Sequence, residues 1–401
     1  MAIAVKDNTA YAVEIESQEG TYVAPQSASS YILALEDGAE FSPEKELLER
    51  AVFNGSLGKT TPRTGMRQVS GAIPVEMRAS SVEGSAPEYD ALMRSALGLR
   101  RQASATTADN SDTGTAPEAH TVSRIYLADS DAGKYAVGDI VTIKRSNNYH
   151  TSPVSAVSDD AGDVHIDLLV SADVPFSNGD EVAAVTTYVT ANSGHPSLSV
   201  SKYMEGARLE QASGCKVTTM ELNGFETGQL ASFNFGFEGL DWDTSLTPQP
   251  HVPTYDTALP PIILSACVYQ DGQKIDVNAL SISLDNELGF ATSTCAPNGR
   301  FSARPTSRTI TGTINPYKND DDVDQMLKFK NNTEFSLFAT AFVPSATEDG
   351  EYGQVVSIYM PNCIITEASE EDADGLLQEA LSFQATRGQQ ATDEELYISV
   401  S

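Results

Sequence analysis

The chain has 401 residues, 40% hydrophobic and 20% charged, which is enough for two or three globular domains and too apolar for a disordered polymer. It carries 25 Lys+Arg against 56 Asp+Glu, a net charge of −31. That balance repels phosphate and anionic membranes, so it excludes tight nucleic-acid binding and membrane-surface binding, while it also suits a high-salt habitat.

The opening stretch MAIAVKDNTAYAVEIE has no basic segment followed by an apolar run, so no signal peptide is expected. No apolar run reaches the roughly 20 residues of a membrane span. The abundance of Thr, Val, Ile, Ser, Tyr and Phe favours strands. Cys215, Cys267, Cys295 and Cys363 are far apart, with no CxxC, and read as reduced thiols.

In chain order, a strand opens at Leu33-Ala34-Leu35-Glu36-Asp37. A long loop, 36–66, mixes Leu47, Leu48, Val52 and Phe53 with Glu44, Lys45, Glu46, Glu49 and Arg50, a mixture that predicts a docking surface. The strand Arg67-Gln-Val69-Ser-Gly71-Ala-Ile73 follows. Pro87, after Ser85, begins a helix with Tyr89, Leu92, Met93, Ala96 and Leu97 on one face and Gly98 as its stop. Residues 102–118 read as a polar linker. Residues 121–190 then give short strands with turns at Gly138 and Gly179, a small β-barrel or an extended hairpin arm. Phe233, Phe235 and Phe237 alternate with polar residues, the signature of a half-buried strand. A Pro- and Thr-rich stretch, 244–261, reads as an inter-domain linker.

The second half repeats the first. Ile282-Ser-Leu-Asp-Asn286 matches the strand at Leu33, and Arg308-Thr-Ile310-Thr-Gly312-Thr-Ile314 matches the strand at Arg67. Between them runs a second long loop, 285–307, with Arg300 and Arg304. Val356-Ser-Ile-Tyr359-Met360 matches Val200-Ser-Lys-Tyr203-Met204, Cys363-Ile-Ile365-Thr366 matches Cys215-Lys-Val217-Thr218, and Phe383 matches Phe233. A helix is expected from Asn319-Asp-Asp-Asp322, and a last strand at Leu396-Tyr-Ile-Ser-Val400. Arg67, Gly71, Tyr203 and Cys215 therefore pair with Arg308, Gly312, Tyr359 and Cys363 as structural equivalents.

The expected fold is mainly β: two tandem β-sandwich domains, each with a flanking helix, over 1–120 with 191–243 and over 262–401, with 121–190 inserted. The five histidines do not pair at metal-ligand spacing, and no nucleophile, phosphate-loop or dinucleotide motif occurs. Neither 320–324 nor 370–375 has an EF-hand's spacing. No enzyme activity, metal or cofactor is expected.

Several stretches together resemble the major tail tube protein family of long-tailed bacteriophages: Phe41-Ser-Pro-Glu44-Lys-Glu-Leu-Leu-Glu-Arg50 ahead of Val69-Ser-Gly71, the helix start Ala86-Pro-Glu-Tyr-Asp90, Gly206-Ala-Arg208, and Pro253-Thr-Tyr255-Asp. The resemblance implies a structural virion protein, made in the bacterial host's cytoplasm and polymerised as stacked rings around passing double-stranded DNA. Its partners are then other copies of itself, a tape measure protein and a tail terminator. Two-domain relatives build each ring from three chains, and the duplication favours that form here. The long loops would then stack rings, and polar strand faces such as Ser232 and Asn234, or Thr309, Thr311 and Thr313, would line the lumen. A β-rich adhesin or receptor-binding module of a virion or cell surface is the alternative.

Overall fold

The computed structural model describes residues 8–53, 55, 57–110, 119–145, 148–160, 163–205, 207–264, 266–296, 298–318, 325–343, 354–373, 375–387 and 394–401. The fold is mainly β. Strands β1 (Thr9–Ile15), β2 (Tyr31–Ile32), β3 (Glu40–Leu48) and β4 (Arg63–Glu76) lead to helix α1 (Asp90–Leu97) and β5 (Gly98–Ala103). Strands β6 (Thr106–Thr107), β7 (Arg124–Tyr126), β8 (Ile140–Arg145), β9 (Asn148–Asp160), β10 (Asp163–Leu168) and β11 (Glu181–Val182) form a separate six-stranded sheet in the order β6-β11-β8-β9-β10-β7. The first half finishes with β12 (Val185–Thr190), β13 (Leu198–Met204), β14 (Arg208–Asn223), β15 (Ser232–Gly239) and β16 (Asp241–Ser245). The second half holds β17 (Ala266–Gln270), β18 (Gln273–Ile275), β19 (Val277–Thr292), β20 (Arg300–Pro316), helix α2 (Gln325–Asn331), β21 (Phe335–Phe342), β22 (Val355–Ala373), β23 (Leu376–Ala385) and β24 (Tyr397–Val400).

The helix face read from the sequence is the buried one: Leu92, Met93, Ala96 and Leu97 enter the main core. Gly98, at φ 96°, ends α1 and donates its N–H to the Arg94 carbonyl, a left-handed stop that a side chain would strain. The acidic start expected for the second helix, 319–322, lies outside the described residues.

The two halves share their hydrogen-bond ladders. Gly71 on β4 faces Phe237 on β15, and Gly312 on β20 faces Phe383 on β23. A Cβ on Gly71 would meet the Phe237 ring at 2.6 Å, and one on Gly312 would meet the Phe383 ring at 2.4 Å. Each glycine is thus small because a neighbouring ring lies over it. The irregularities repeat as well. The β14–β15 register slips between Val217 and Thr219, and β22–β23 slips between Ile365 and Glu367. Likewise β3–β4 slips between Lys45 and Leu47, and β19–β20 between Glu287 and Leu288.

This register corrects three sequence matches. The counterpart of Phe383 is Phe237, not Phe233. The counterpart of Ile282 is Phe41, since these residues lie opposite Gly312 and Gly71; Leu33 precedes the strand. Tyr203 lies on β13 and Tyr359 on β22, and these strands do not correspond: β13 flanks β14 as β21 flanks β22, with Leu198 opposite Cys215 and Phe335 opposite Cys363. The short pattern V-S-x-Y-M recurred on a strand and on its neighbour's counterpart, because any half-buried strand draws on the same few residue types.

The separate sheet begins at Thr106 and ends at Val182, earlier at both ends than the 121–190 read from the sequence. Strand β12 belongs to the main sheet, where Val189 faces Tyr397 on β24 and Leu99 on β5. Strand β9 was not expected, because its apolar residues are sparse. Gly138 and Gly179 are positive-φ turns as anticipated. The segment 244–261 is fastened to the first half, with Arg78 donating to the carbonyls of Asp256 and Ala258 at 3.2 and 3.1 Å and forming an ion pair with Glu88 at 2.7 Å.

Candidate assembly surfaces

In the first half the strand order is β3-β4-β15-β14; in the second it is β19-β20-β23-β22. Strand β14 pairs with β19, Thr219 to Leu222 against Asp285 to Ile282, so the two sets of four make one eight-stranded sheet. Its two ends are β3 and the later part of β22. Among the described residues neither outer edge has a strand partner from Phe41 to Glu44 or from Glu367 to Asp372.

One face of this sheet is core. Val69, Ile73, Phe235, Phe237, Leu222, Leu284, Ile310, Leu381 and Phe383 all point into it and are buried. The other face is polar, because side chains alternate. It carries Ser232, Asn234, Thr309, Thr311 and Thr313, together with Glu40, Glu44, Glu221, Glu238, Asp285, Glu367 and Glu371. Short hydrogen bonds knit it, such as Ser281 to Thr313 at 2.7 Å and Gln68 to Glu44 at 2.7 Å.

The two long loops expected from the sequence are for the most part β-hairpins, the outer parts of β3–β4 and β19–β20. Sequence reading missed the strand at 40–48 because it leaves the body of the sheet. Glu44, Lys45, Glu46, Leu47 and Leu48 are all exposed, so no apolar alternation marks them. Glu49, Arg50 and Phe53 lie beyond β3, and Phe53 and Leu57 are fully exposed. Glu46 accepts the Met66 N–H at 3.3 Å, and Lys59 lies 3.4 Å from Glu49.

The second hairpin is docked on the first half. Asn298 accepts the Arg67 N–H at 2.7 Å and donates to the carbonyls of Arg67 and Leu240. Glu19 accepts from the Ser302 hydroxyl at 2.9 Å and the Ala303 N–H at 2.7 Å. Arg300 stacks 4.4 Å from the Phe290 ring, while Arg304 is exposed opposite Gly289. The two repeat arginines take different acids: Arg67 bonds Asp241 at 2.7 Å and Arg308 bonds Glu395 at 2.8 Å.

Cys215 and Cys363 are buried, and burial pushes both thiols well up, so neither is a ready nucleophile. His195 lies between the Ser95 and Ala191 carbonyls at 2.9 and 3.0 Å, and burial pushes His150 down. Among the described residues no group of His, Cys, Asp and Glu is placed to hold a metal, and no helix is long and apolar enough to cross a membrane. Of the acidic run 370–375, Glu370 to Ala373 are the last residues of β22, and the turn into β23 is held by Asp372, which accepts the Gly375 N–H at 2.6 Å.

A family model described as a phage tail tube protein matches residues 6–385. No curated protein matches the chain.

Proposed function

Because the chain belongs to the phage tail tube protein family, and is a structural component of the virion tail, we propose that three copies close into a ring, that rings stack, and that double-stranded DNA passes through the lumen. The observation that carries this reading is the β14–β19 pairing, which joins two four-stranded sets into one sheet with an unpaired edge at each end. Three such sheets supply twenty-four strands. At about 4.8 Å spacing and about 40° tilt they enclose a diameter of roughly 48 Å, about 40 Å after side chains, against about 20 Å for a duplex. Closure also removes edges that would otherwise aggregate.

The polar face lines the lumen in this arrangement. Its carboxylates repel phosphate, so the duplex slides without adhering. The halves are two tube-type sandwich domains, and the sheet of 106–182, barrel-like, sits outside the wall. The first hairpin, 44–66, docks on a neighbouring copy as the second docks on its own chain, and Arg300 and Arg304 face the adjoining ring. The reading involves no catalysis. A tape measure protein within the lumen and a terminator at the end are the expected partners.

Negative-stain microscopy of the purified chain tests the reading: threefold rings or tubes are expected. Dispersed monomers at every concentration would overturn it and favour a solitary surface-binding module.

A further inference from the structure

The bulges shared by the two halves allow residue-by-residue equivalence. Thr219, Met220, Glu221 and Leu222 of β14 correspond to Glu367, Ala368, Ser369 and Glu370 of β22. Asp285, Leu284, Ser283 and Ile282 of β19 correspond to Glu44, Pro43, Ser42 and Phe41 of β3. The internal junction sets Thr219 to Leu222 against Asp285 to Ile282. It therefore states where the open β22 edge of one chain meets the open β3 edge of the next.

We infer that the junction between chains repeats the β14–β19 register, with Ser369 of one chain opposite Ser42 of the next, and that it sets carboxylate against carboxylate, so that ring closure is held back at low ionic strength. The inference rests on the ring reading above. Glu367 then faces Glu44, and two residues beyond Ser369 and Ser42, on the same face, Glu371 faces Glu40. The internal junction has no such conflict: Thr219 faces Asp285 and Glu221 faces Ser283.

The local geometry sharpens the conflict. A Cβ on Gly71 would lie 2.4 Å from the Glu40 carbonyl oxygen, which places that carbonyl between β3 and β4. The backbone groups of Phe41 and Pro43 then face the open edge. Ser42 and Glu44 fall at the closely spaced positions of the new pair, where side chains approach most. Pro43 has no N–H to offer, so the Ala368 carbonyl gains no donor from it. Over the paired stretch β3, β4, β22 and β23 place no Lys or Arg on this face. Lys318, 2.9 Å from Glu370, serves the opposite face. Proline and like charges on a strand edge are the means by which free chains avoid indiscriminate pairing. Salt relieves the repulsion, since the screening length falls from about 30 Å at 10 mM to about 3 Å at 1 M.

The experiment uses the full chain with Cys295, which is exposed, replaced by serine. Oxidation of S42C/S369C is expected to give covalent multimers ending at three chains. S42C/E370C, shifted to the other face, is expected to give none. Sedimentation should show that E44Q/E367Q assembles at about three- to tenfold lower concentration than wild type at low salt, with a flatter salt dependence. D285N/E221Q, which removes the same charge from the same face, should follow wild type. Rings that cross-link through S42C/E370C and not S42C/S369C overturn the register. Equal behaviour of E44Q/E367Q and D285N/E221Q overturns the charge conflict. Absence of rings and tubes in every variant at every salt concentration overturns the ring reading itself.

Discussion

The hairpin at 286–305 and the hairpin at 44–66 are the same device in two conditions. The first is met by its own chain: Asn298 spans the Arg67 peptide and Glu19 holds Ser302 and Ala303. The second presents Leu47, Leu48, Val52, Phe53 and Leu57 to solvent. Exposed apolar residues on a paired hairpin cost solubility, and in the proposed ring a second copy supplies their cover.

That contrast can be broken by trimming. Lys45 and Arg67 lie directly opposite, so residues 46–66 can be replaced by a two-residue turn. The expected outcome is a thermal midpoint within a few degrees of wild type and complete loss of tubes by microscopy. Tubes of normal length from that chain would remove any docking role for the first hairpin. Trimming 289–303 should instead destabilise the monomer, by about 3–5 kcal/mol in urea unfolding, because Glu19 and the Arg67 backbone lose their partners.

Equivalence of the halves is sharpened by Gly71→Val and Gly312→Val. Each new side chain collides with a phenylalanine ring and a carbonyl, and each should cost about 2–4 kcal/mol, the two values agreeing within about 1 kcal/mol. Asn298→Ala should cost about 2 kcal/mol, through unpaired backbone groups at Arg67 and Leu240. Phe53→Ser should leave stability within about 0.5 kcal/mol while raising the concentration needed for assembly.

Much of the eight-stranded sheet was legible. The R-x-[VI]-x-G-x-I pair located β4 and β20, and the alternating phenylalanines located β15, because a strand with one wet face writes a period of two into the sequence. The reason for the two glycines was not legible, since it lies in a ring from a strand more than 70 residues away. Strand β3 was hidden because, from Pro43 on, both its faces are wet. Strand β24 was readable as a strand at 396–400, yet its place between β12 and β22 was not, because pairing partners leave no local mark. The inserted sheet was placed too late because β12, an apolar strand near it in sequence, belongs to the main body. Hence a deletion meant to remove the insertion alone should span 104–184, where Ala103 and Val185 already face each other.

Joining β14 to β19 inside one polypeptide also alters the statistics of assembly. Two wall units held by a tether meet at an effective concentration set by the connecting chain, not by how many copies the cell has made. A ring of three bodies surrenders translational and rotational freedom at two docking events, where six separate bodies would surrender it at five. In the proposed ring, half of the junctions between four-stranded sets are thus settled during folding, before any encounter in solution, and only the remaining half depends on the abundance of the protein.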